Sequence, residues 1–560
     1  MQKAIPEENL ILKEYLKNIL QKALDKLGYH DIAITIEKPK DEKFGDYSTN
    51  AAMVIAKMDK KNPRDVASKI IGDLNLPAND IEKAEIAGAG FINFFISDKF
   101  YLNGIHDILK HTTDFGRLKI NEGRTANIEW VSANPTGPLH AGHGRHIALG
   151  KAVANLLEWS GYKVTREYYF NNAGKQMDNL AESVYARYMQ KHQPDYPFPE
   201  NGYIGDYIKE IADFIDGEYG AKLVNTKDPG LFRTAGENWC FKLIRHTLDR
   251  MGIQHEVFFN EDSLYKSGKI KKILGDFKAK GLSYEKEGAT WLRTSELLKD
   301  KKDAEDKVIV KSTGEPTYRL PDMAYHIDKV ERGFDSIVDI FGADHTDTYK
   351  EVLAGIGALG YDTSKIKVII HQMVTFVQEG KPVKMSKRSD NVYYLDDLLD
   401  DVGEDVAQFF FVMRSANTHL DFDVKLAKEQ SEKNPVFYLQ YAHARICGIL
   451  RNAEQVFPGF GKAELKDFSV LKETDEIKLC RKLDAFTETV ESACSTLEPH
   501  KIITYLNELA EAYHIFYHNH RVINADEKDI SMARLKLCEA TRIVLQNGFY
   551  IIGISAPERM

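Results

Sequence analysis

The chain has 560 residues, 43% of them apolar and 28% charged, with a formal net charge of −9. That length exceeds one ordinary core and predicts three or four domains, and the acidic balance argues against a general affinity for polyanions while leaving room for a local basic stripe. Cys240, Cys447, Cys480, Cys494 and Cys538 form no C-x-x-C pair, which argues against a disulfide framework and a paired-cysteine zinc site, and for reduced thiols in a cytoplasmic protein. No run of ~18 apolar residues predicts a membrane span, and the charged start (Glu7, Glu8, Lys13, Glu14) does not read as a signal peptide.

Residues 1 to about 115 predict a separate α/β module. Leu12, Leu16, Ile19, Leu20, Leu24 and Leu27 mark an amphipathic helix ended by Gly28. A strand at 32–36, a loop at 44–50, a helix through Ala52, Val54 and Ile55, and a glycine turn leading into a strand at 86–94 follow. From Ile128 a strand breaks into a loop on Pro135, Gly137 and Pro138, presents His140 and His143 around Gly142, and enters a helix at 145–160. A strand at 164–169 precedes Asn171-Asn172-Ala173-Gly174. Residues 176–245 are polar, mostly helical and jointed at Pro194, Pro197 and Pro199, which reads as an insertion. Val257-Phe258-Phe259 runs into Glu261. Strands at 337–341 and 366–371 flank Gly342-Ala343-Asp344-His345 and a helix through Val352, Ile356 and Leu359. Strands alternating with helices predict a parallel sheet that binds ligands at its C-terminal edge. The catalytic unit then spans 120–395, residues 396–434 form a helical connection, and 435–560 form a helical bundle.

Histidines at i and i+3 near a helix start can hydrogen-bond phosphate oxygens, and Gly142 leaves space for a flat base or ribose. Alone, the pair reads equally well as surface residues or as part of a metal site. Lys384-Met385-Ser386-Lys387-Arg388 changes that balance. Two lysines three apart on a short loop can stabilise a departing pyrophosphate.

Together these two stretches resemble the signatures of class I aminoacyl-tRNA synthetases. The longer wording resembles the arginyl-tRNA synthetases of bacterial type: residues 132–143, Thr317-Tyr318 with Asp322, Gly342-Ala343-Asp344-His345, Asn434-Pro435-Val436, residues 440–445, and the closing residues 556–560. The resemblance implies an α/β plus all-α protein. It would have a Rossmann-like catalytic domain with a helical insertion, an N-terminal tRNA-contacting domain and a C-terminal anticodon-binding bundle. It implies arginine–tRNA ligation, with His140, His143, Lys384 and Lys387 as catalytic residues. ATP, carried with Mg²⁺, would meet His140, Gly142, His143, Gly342, Asp344, Met385, Ser386 and Lys387. No zinc and no membrane are implied, the partners are L-arginine and tRNA(Arg), and the expected state is a monomer.

A guanidinium is a planar fork of donors that selects carboxylates. Asp322 can take it in a bidentate fashion, with Glu261 as a second anion. By resemblance Ser132, Asn134 and His345 lie near the amino acid's ammonium and carboxylate, and Tyr318 borders its side chain. Glu129 serves either the ammonium or the orientation of its neighbours. The family pattern predicts Asn-Asp-x-Gly where this chain has Asn171-Asn172-Ala173-Gly174, so one carboxylate is lost. Lys387, which many arginine enzymes of the family lack, is present. From Pro435 onward there are 15 Lys+Arg against 17 Asp+Glu, so the bundle is not broadly basic. Base stacking by Tyr441, Tyr513 and Tyr517, with Arg445 and Arg521 on phosphates, is one reading of its aromatic face. Tyr438 is a fourth stacking candidate, and core packing is the better reading for at least half of these four tyrosines. Three rivals remain at this level: another class I synthetase, a nucleotidylyltransferase using the first signature alone, and a tRNA-binding relative without activity.

Overall fold

The structure, a computed structural model, describes residues 12–30, 32–226, 229–298, 304–383 and 392–560. A five-stranded parallel sheet organises it. β1 (Thr125–Glu129) is followed by helix α1 (Gly144–Trp159), β2 (Lys163–Phe170), β3 (Val257–Asn260), α2 (Arg319–Glu331), β4 (Ser336–Gly342), α3 (Thr348–Leu359) and β5 (Ile366–His371). The order across the sheet is β5-β4-β1-β2-β3. The chain therefore winds outward from β1 in one direction through β2 and β3, and in the other through β4 and β5. The crevice above the β1 and β4 termini is the topological switch point, where ligands of such sheets bind.

Ala126, Ile128, Val338 and Ile340 bury one face of the sheet, and Ile337 packs into a separate core on the other. Helix α1 is apolar almost all round, as a helix enclosed on every side should be. At Gly150 a Cβ would stand 2.1 Å from the ring of Trp130, so glycine there sets how closely α1 approaches the chain leaving β1.

Three helices, Lys175–His192, Asp206–Tyr219 and Gly230–Arg250, are inserted between β2 and β3 around their own core of Leu180, Val184, Ile208, Ile211 and Phe232. A second insertion goes beyond the sequence reading: Ser283–Lys286, Ala289–Leu292 and Lys307–Val310 form a three-stranded antiparallel sheet. The segment 396–434 is likewise not purely helical. Leu420–Asp423 is a strand lying parallel to Val374–Gln378, its alternation too short to stand out beside the flanking helices.

The C-terminal bundle consists of Pro435–Val456, Thr474–Thr496, His500–Asn519 and Lys528–Ile552. Asn434 starts it, its side chain accepting from Val436 N ahead of Pro435 at the first helical position. The N-terminal module carries a four-stranded antiparallel sheet. Its first strand shrinks from the expected 32–36 to Ile36–Glu37, because only Ser48 and Thr49 are available to pair with it. The module docks on the bundle: Tyr47 donates to Glu488 (3.0 Å), and Arg481 reaches Asp46 (2.8 Å) and Asp98 (3.3 Å).

The last helix ends against α1. Lys151 Nζ donates to the Gly553 carbonyl (2.7 Å) and Asn155 to that of Tyr550 (2.9 Å). Gln408 bridges the carbonyls of Ala148 (3.0 Å) and Ile552 (2.9 Å). Carbonyls that a helix end leaves unpaired are satisfied here by side chains of the catalytic domain, with a cation at the negative end of the helix dipole. No described helix is long and apolar enough to cross a membrane, and all five cysteines are buried and free.

Candidate active site

A cleft of about 520 Å³ opens at the C-terminal ends of β1, β4 and β5. Its floor begins where β1 stops. Val131 and Ser132 adopt φ of +72° and +47°, a left-handed conformation that costs on the order of 1–3 kcal/mol per non-glycine residue. The kink turns Ser132 back on the strand. Its hydroxyl donates to Glu129 Oε1 (2.7 Å) and accepts from Tyr169 N (3.2 Å).

One end of the cleft is imidazole-lined. His140 and His143 stack with ring centroids 3.6 Å apart. Burial lowers both, and His140 and His371 add to the effect on His143, which falls to about 3. Both are therefore neutral at physiological pH and can offer an N–H to a phosphate oxygen without carrying charge. His146 and His371 (centroids 5.2 Å apart) lie beside them, both also held neutral by burial. Gly142 and Gly342 keep the cleft open: a Cβ would come within 2.9 Å of the His140 ring and 2.6 Å of Asp344 Oδ1 respectively. Asp344 and His345 complete this wall, His345 stacking on Phe341.

Lys384, Met385, Ser386, Lys387 and Arg388 lie outside the described residues, but both flanks of that segment are fastened to the histidine loop. Downstream, His140 and Tyr394 form an antiparallel bridge, with Ala141 N donating to Tyr393 O and Leu395 N to Leu139 O, each at 2.8 Å. Upstream, the fully buried guanidinium of Arg145 donates to the carbonyls of Gln372 (2.9 Å), Ser415 (2.8 Å) and Thr418 (2.7 Å).

The other end of the cleft is acidic. Asp322, in the first turn of α2, is pushed up to about 6, first by burial and then by Glu129 and Glu261 nearby. Among the described residues no cation pairs with its carboxylate. Glu129 lines the same cleft, whereas Glu261 does not. Glu261 stands behind Tyr169, accepting from its hydroxyl (2.7 Å) and from Asn171 Nδ2 (2.9 Å). The carboxylate that shares the cleft with Asp322 is thus Glu129, and the expected partner Glu261 instead orients Tyr169. Asn134 is also off the wall. It ties two loops together by donating to Gln176 (2.8 Å) and accepting from Asn171 N (3.0 Å). Tyr318, 86% exposed, stands outside the cleft at the start of α2.

Asn172, where the family pattern has an acid, donates to Glu237 (2.8 Å) and accepts from Asn260 (3.1 Å). A carboxylate there would face Glu237, so the amide matches this chain's own insertion. In the bundle, Arg445 lies over the rings of Tyr517 (4.6 Å) and Tyr441 (5.5 Å) at the surface, and Arg521 is exposed. Tyr513 is corrected: it is fully buried in the core and presents no face to a base.

Sequence reading passed over His146, Tyr169, Tyr325 and His371, which line the cleft, and Arg145 and Lys329, which support it. For α2 a signal existed: Asp322, Tyr325, His326 and Lys329 share one helical face. Among the described residues no three His, Cys, Asp or Glu side chains converge on a cation site.

Comparison with known proteins agrees with this geometry. The family described as "tRNA synthetases class I (R), catalytic domain" matches residues 104–418, "Arginyl tRNA synthetase N terminal domain" matches 12–96, and "DALR anticodon binding domain" matches 439–560. The chain belongs to the arginyl-tRNA synthetases of class I. It is 47% identical over 557 residues to the arginine–tRNA ligase of Chlorobaculum tepidum, covering 98% of this chain and 100% of that one. It is 44% identical to that of Desulfotalea psychrophila, over 98% and 99% of the two chains. The arginyl-tRNA synthetase of Thermus thermophilus superposes with a TM-score of 0.75 at 20% identity, over 98% of this chain and 100% of that one, a likeness of fold. The arginyl-tRNA synthetase catalytic match ends at residue 418, whose carbonyl Arg145 holds.

Proposed function

We propose that this protein is an ATP-dependent arginine–tRNA ligase that works in the β1–β4 cleft. The observation that carries the reading is the buried Asp322 carboxylate, which no cation pairs with among the described residues, in the same cleft as the neutral His140–His143 pair. A guanidinium fits the acidic end because it delivers the missing positive charge and parallel donors. Asp322 receives it, Glu129 shares its charge, and Tyr169 and Tyr325 border it. Ser132 and His345 serve the amino acid's other end, Asn134 ties together the loops behind them, and Tyr318 meets what approaches from outside the cleft.

ATP enters as its Mg²⁺ complex against His140, His143, Gly142, Gly342 and Asp344. An arginine carboxylate oxygen attacks the α-phosphorus, the bond to the β-phosphate oxygen breaks, and pyrophosphate leaves. Lys384 and Lys387, with Met385 and Ser386 in the same loop, stabilise that leaving charge. A ribose hydroxyl of the tRNA's terminal adenosine then attacks the acyl carbon and AMP departs, the hydroxyl proton passing to the AMP phosphate or solvent. No protein nucleophile is required, so catalysis is positioning plus charge stabilisation. The anticodon stem and loop meet the Arg445, Tyr441, Tyr517 and Arg521 face, and the N-terminal module makes a second tRNA contact. We infer a monomer in the cytoplasm, which the five free, buried thiols support.

Aminoacylation of tRNA with each amino acid in turn tests this. Arginine should be the sole good substrate, and Asp322→Ala should lose affinity for it. Equal charging with another amino acid, or an unchanged arginine KM in Asp322→Ala, would sink the reading.

A further inference from the structure

Three carboxylates stand side by side at the centre of the sheet. The register places Asp339 of β4 beside Glu129 of β1, and Glu129 beside Glu167 of β2, and neighbours in register share a face. All three are buried. Three like charges at strand spacing are prohibitive without compensation.

Helix α2 supplies it from one face. Arg332 grips Glu167 with two bonds (2.7 and 2.8 Å). Lys329, with no exposed surface, sits between the other two, donating to Glu129 Oε2 (2.8 Å) and to Asp339 Oδ1. His326 completes the set. Its Nδ1 meets the Asp322 carbonyl (2.7 Å) and its Nε2 the Asp339 carboxylate (3.1 Å). Both partners are acceptors, so the ring is a doubly protonated donor. Its pKa is accordingly raised by Asp339, and that of Asp339 held low by Lys329 and His326, against the effect of burial. Lys329 and His326 thus balance Glu129 and Asp339, Arg332 balances Glu167, and Asp322 alone is left for a ligand cation.

We propose that Lys329 is a positioning residue for arginine selection: by occupying one oxygen of Glu129 it keeps that buried carboxylate ionised and aimed, with Ser132 on the other oxygen, into the cleft. This rests on the reading that Glu129 and Asp322 face the substrate's positive charge. Among the described residues the groups facing Glu129 are Lys329, Asp322, Tyr325 and His326 from α2, Asp339 from β4, Glu167 and Tyr169 from β2, and the Ser132 hydroxyl. Lys329 is the one cation among them that touches it. Burial and Asp339 raise the Glu129 pKa even with Lys329 in place, and Lys329 and Ser132 oppose that rise, so loss of Lys329 moves ionisation to higher pH still.

The test compares full-length Lys329→Met, Glu129→Gln, their double variant and Asp322→Asn by arginine KM and kcat in tRNA charging across pH 6–9. Lys329→Met should raise the arginine KM about tenfold at pH 7, with kcat at saturating arginine little changed, and the loss should recover as pH rises. In the Glu129→Gln background Lys329→Met should change KM less than about twofold, because the group it serves is gone. That double variant loses one charge of each sign, so the comparison survives if Lys329→Met alone fails to fold. A pH-independent KM effect in Lys329→Met, or an equal loss in the Glu129→Gln background, overturns the proposal. If Asp322→Asn leaves arginine KM unchanged, the underlying reading of the cleft fails instead.

Discussion

His140 and Tyr394 face each other across an antiparallel bridge. One is the first histidine of the stacked His140–His143 pair, and the other stands six residues beyond Arg388. Arg145 holds the carbonyl of Gln372, twelve residues before Lys384, so described residues on both sides of the second signature are bonded to the stretch from Leu139 to Arg145.

Lys387→Ala should then slow arginine activation by about 10²–10³-fold, the usual cost of deleting one preorganised donor to a leaving group, with arginine KM nearly unchanged. tRNA-dependent pyrophosphate exchange measures it. Full exchange activity in the variant would contradict the assignment.

Arg145→Lys tests the upstream anchor. A single ammonium cannot reproduce a planar fork serving three carbonyls. We expect kcat for activation to fall about tenfold or more and arginine KM to stay within about twofold, since Arg145 does not touch the acidic end of the cleft. Rates should be normalised to the fraction of active sites. A loss appearing in arginine KM alone would show that Arg145 does not place the second signature.

Asp322 gives a pH dependence of known sign. Burial pushes its carboxyl up to about 6, above the ordinary aspartate range, and in the proposed site the guanidinium pairs with the ionised form. Arginine affinity should be fully present above about pH 7 and lost as pH falls through 6, KM rising by about tenfold per unit below it. Occupancy by arginine lowers that pKa, so kcat should hold to more acidic pH than kcat/KM. An arginine KM flat between pH 5 and 8 would contradict this.

In the bundle, a buried tyrosine and a surface arginine should behave oppositely. The Tyr513 hydroxyl is buried with no hydrogen-bond partner among the described residues, so Tyr513→Phe should leave stability unchanged or raise it by about 1 kcal/mol, with no effect on tRNA KM. Arg445→Ala should raise tRNA KM several-fold and flatten its salt dependence. Equilibrium unfolding and charging at two salt concentrations separate these outcomes.

Where the sequence was legible, one physical signal dominated. The parallel strands are short runs between helices, and four of them keep their expected bounds to within a residue, whereas β1 lies at Thr125–Glu129, earlier than the strand expected from Ile128. The antiparallel insertion was also written locally and passed over. Glu287 and Gly288, with φ of +52° and +74°, make the two-residue turn that joins Ser283–Lys286 to Ala289–Leu292. Other features were not local at all. That Glu261 lies behind Tyr169 while Glu129 lines the cleft depends on which strands are neighbours. The charge of Glu129 depends on a lysine 200 residues away, reached only after the sheet has closed. Tyr513 and Tyr517 lie one turn apart on the same helix, and packing against the other helices alone decides which is core and which is surface.

The left-handed pair Val131–Ser132 has a consequence for how this protein can be improved. Glycine at 132 would relax the backbone and remove the hydroxyl that steers Glu129, so a search for thermostable variants should find that position readily and an assay for charging should reject it. The turn after β1 is a point where heat resistance and turnover pull in opposite directions, and it marks where stabilising substitutions should not be accepted on melting data alone.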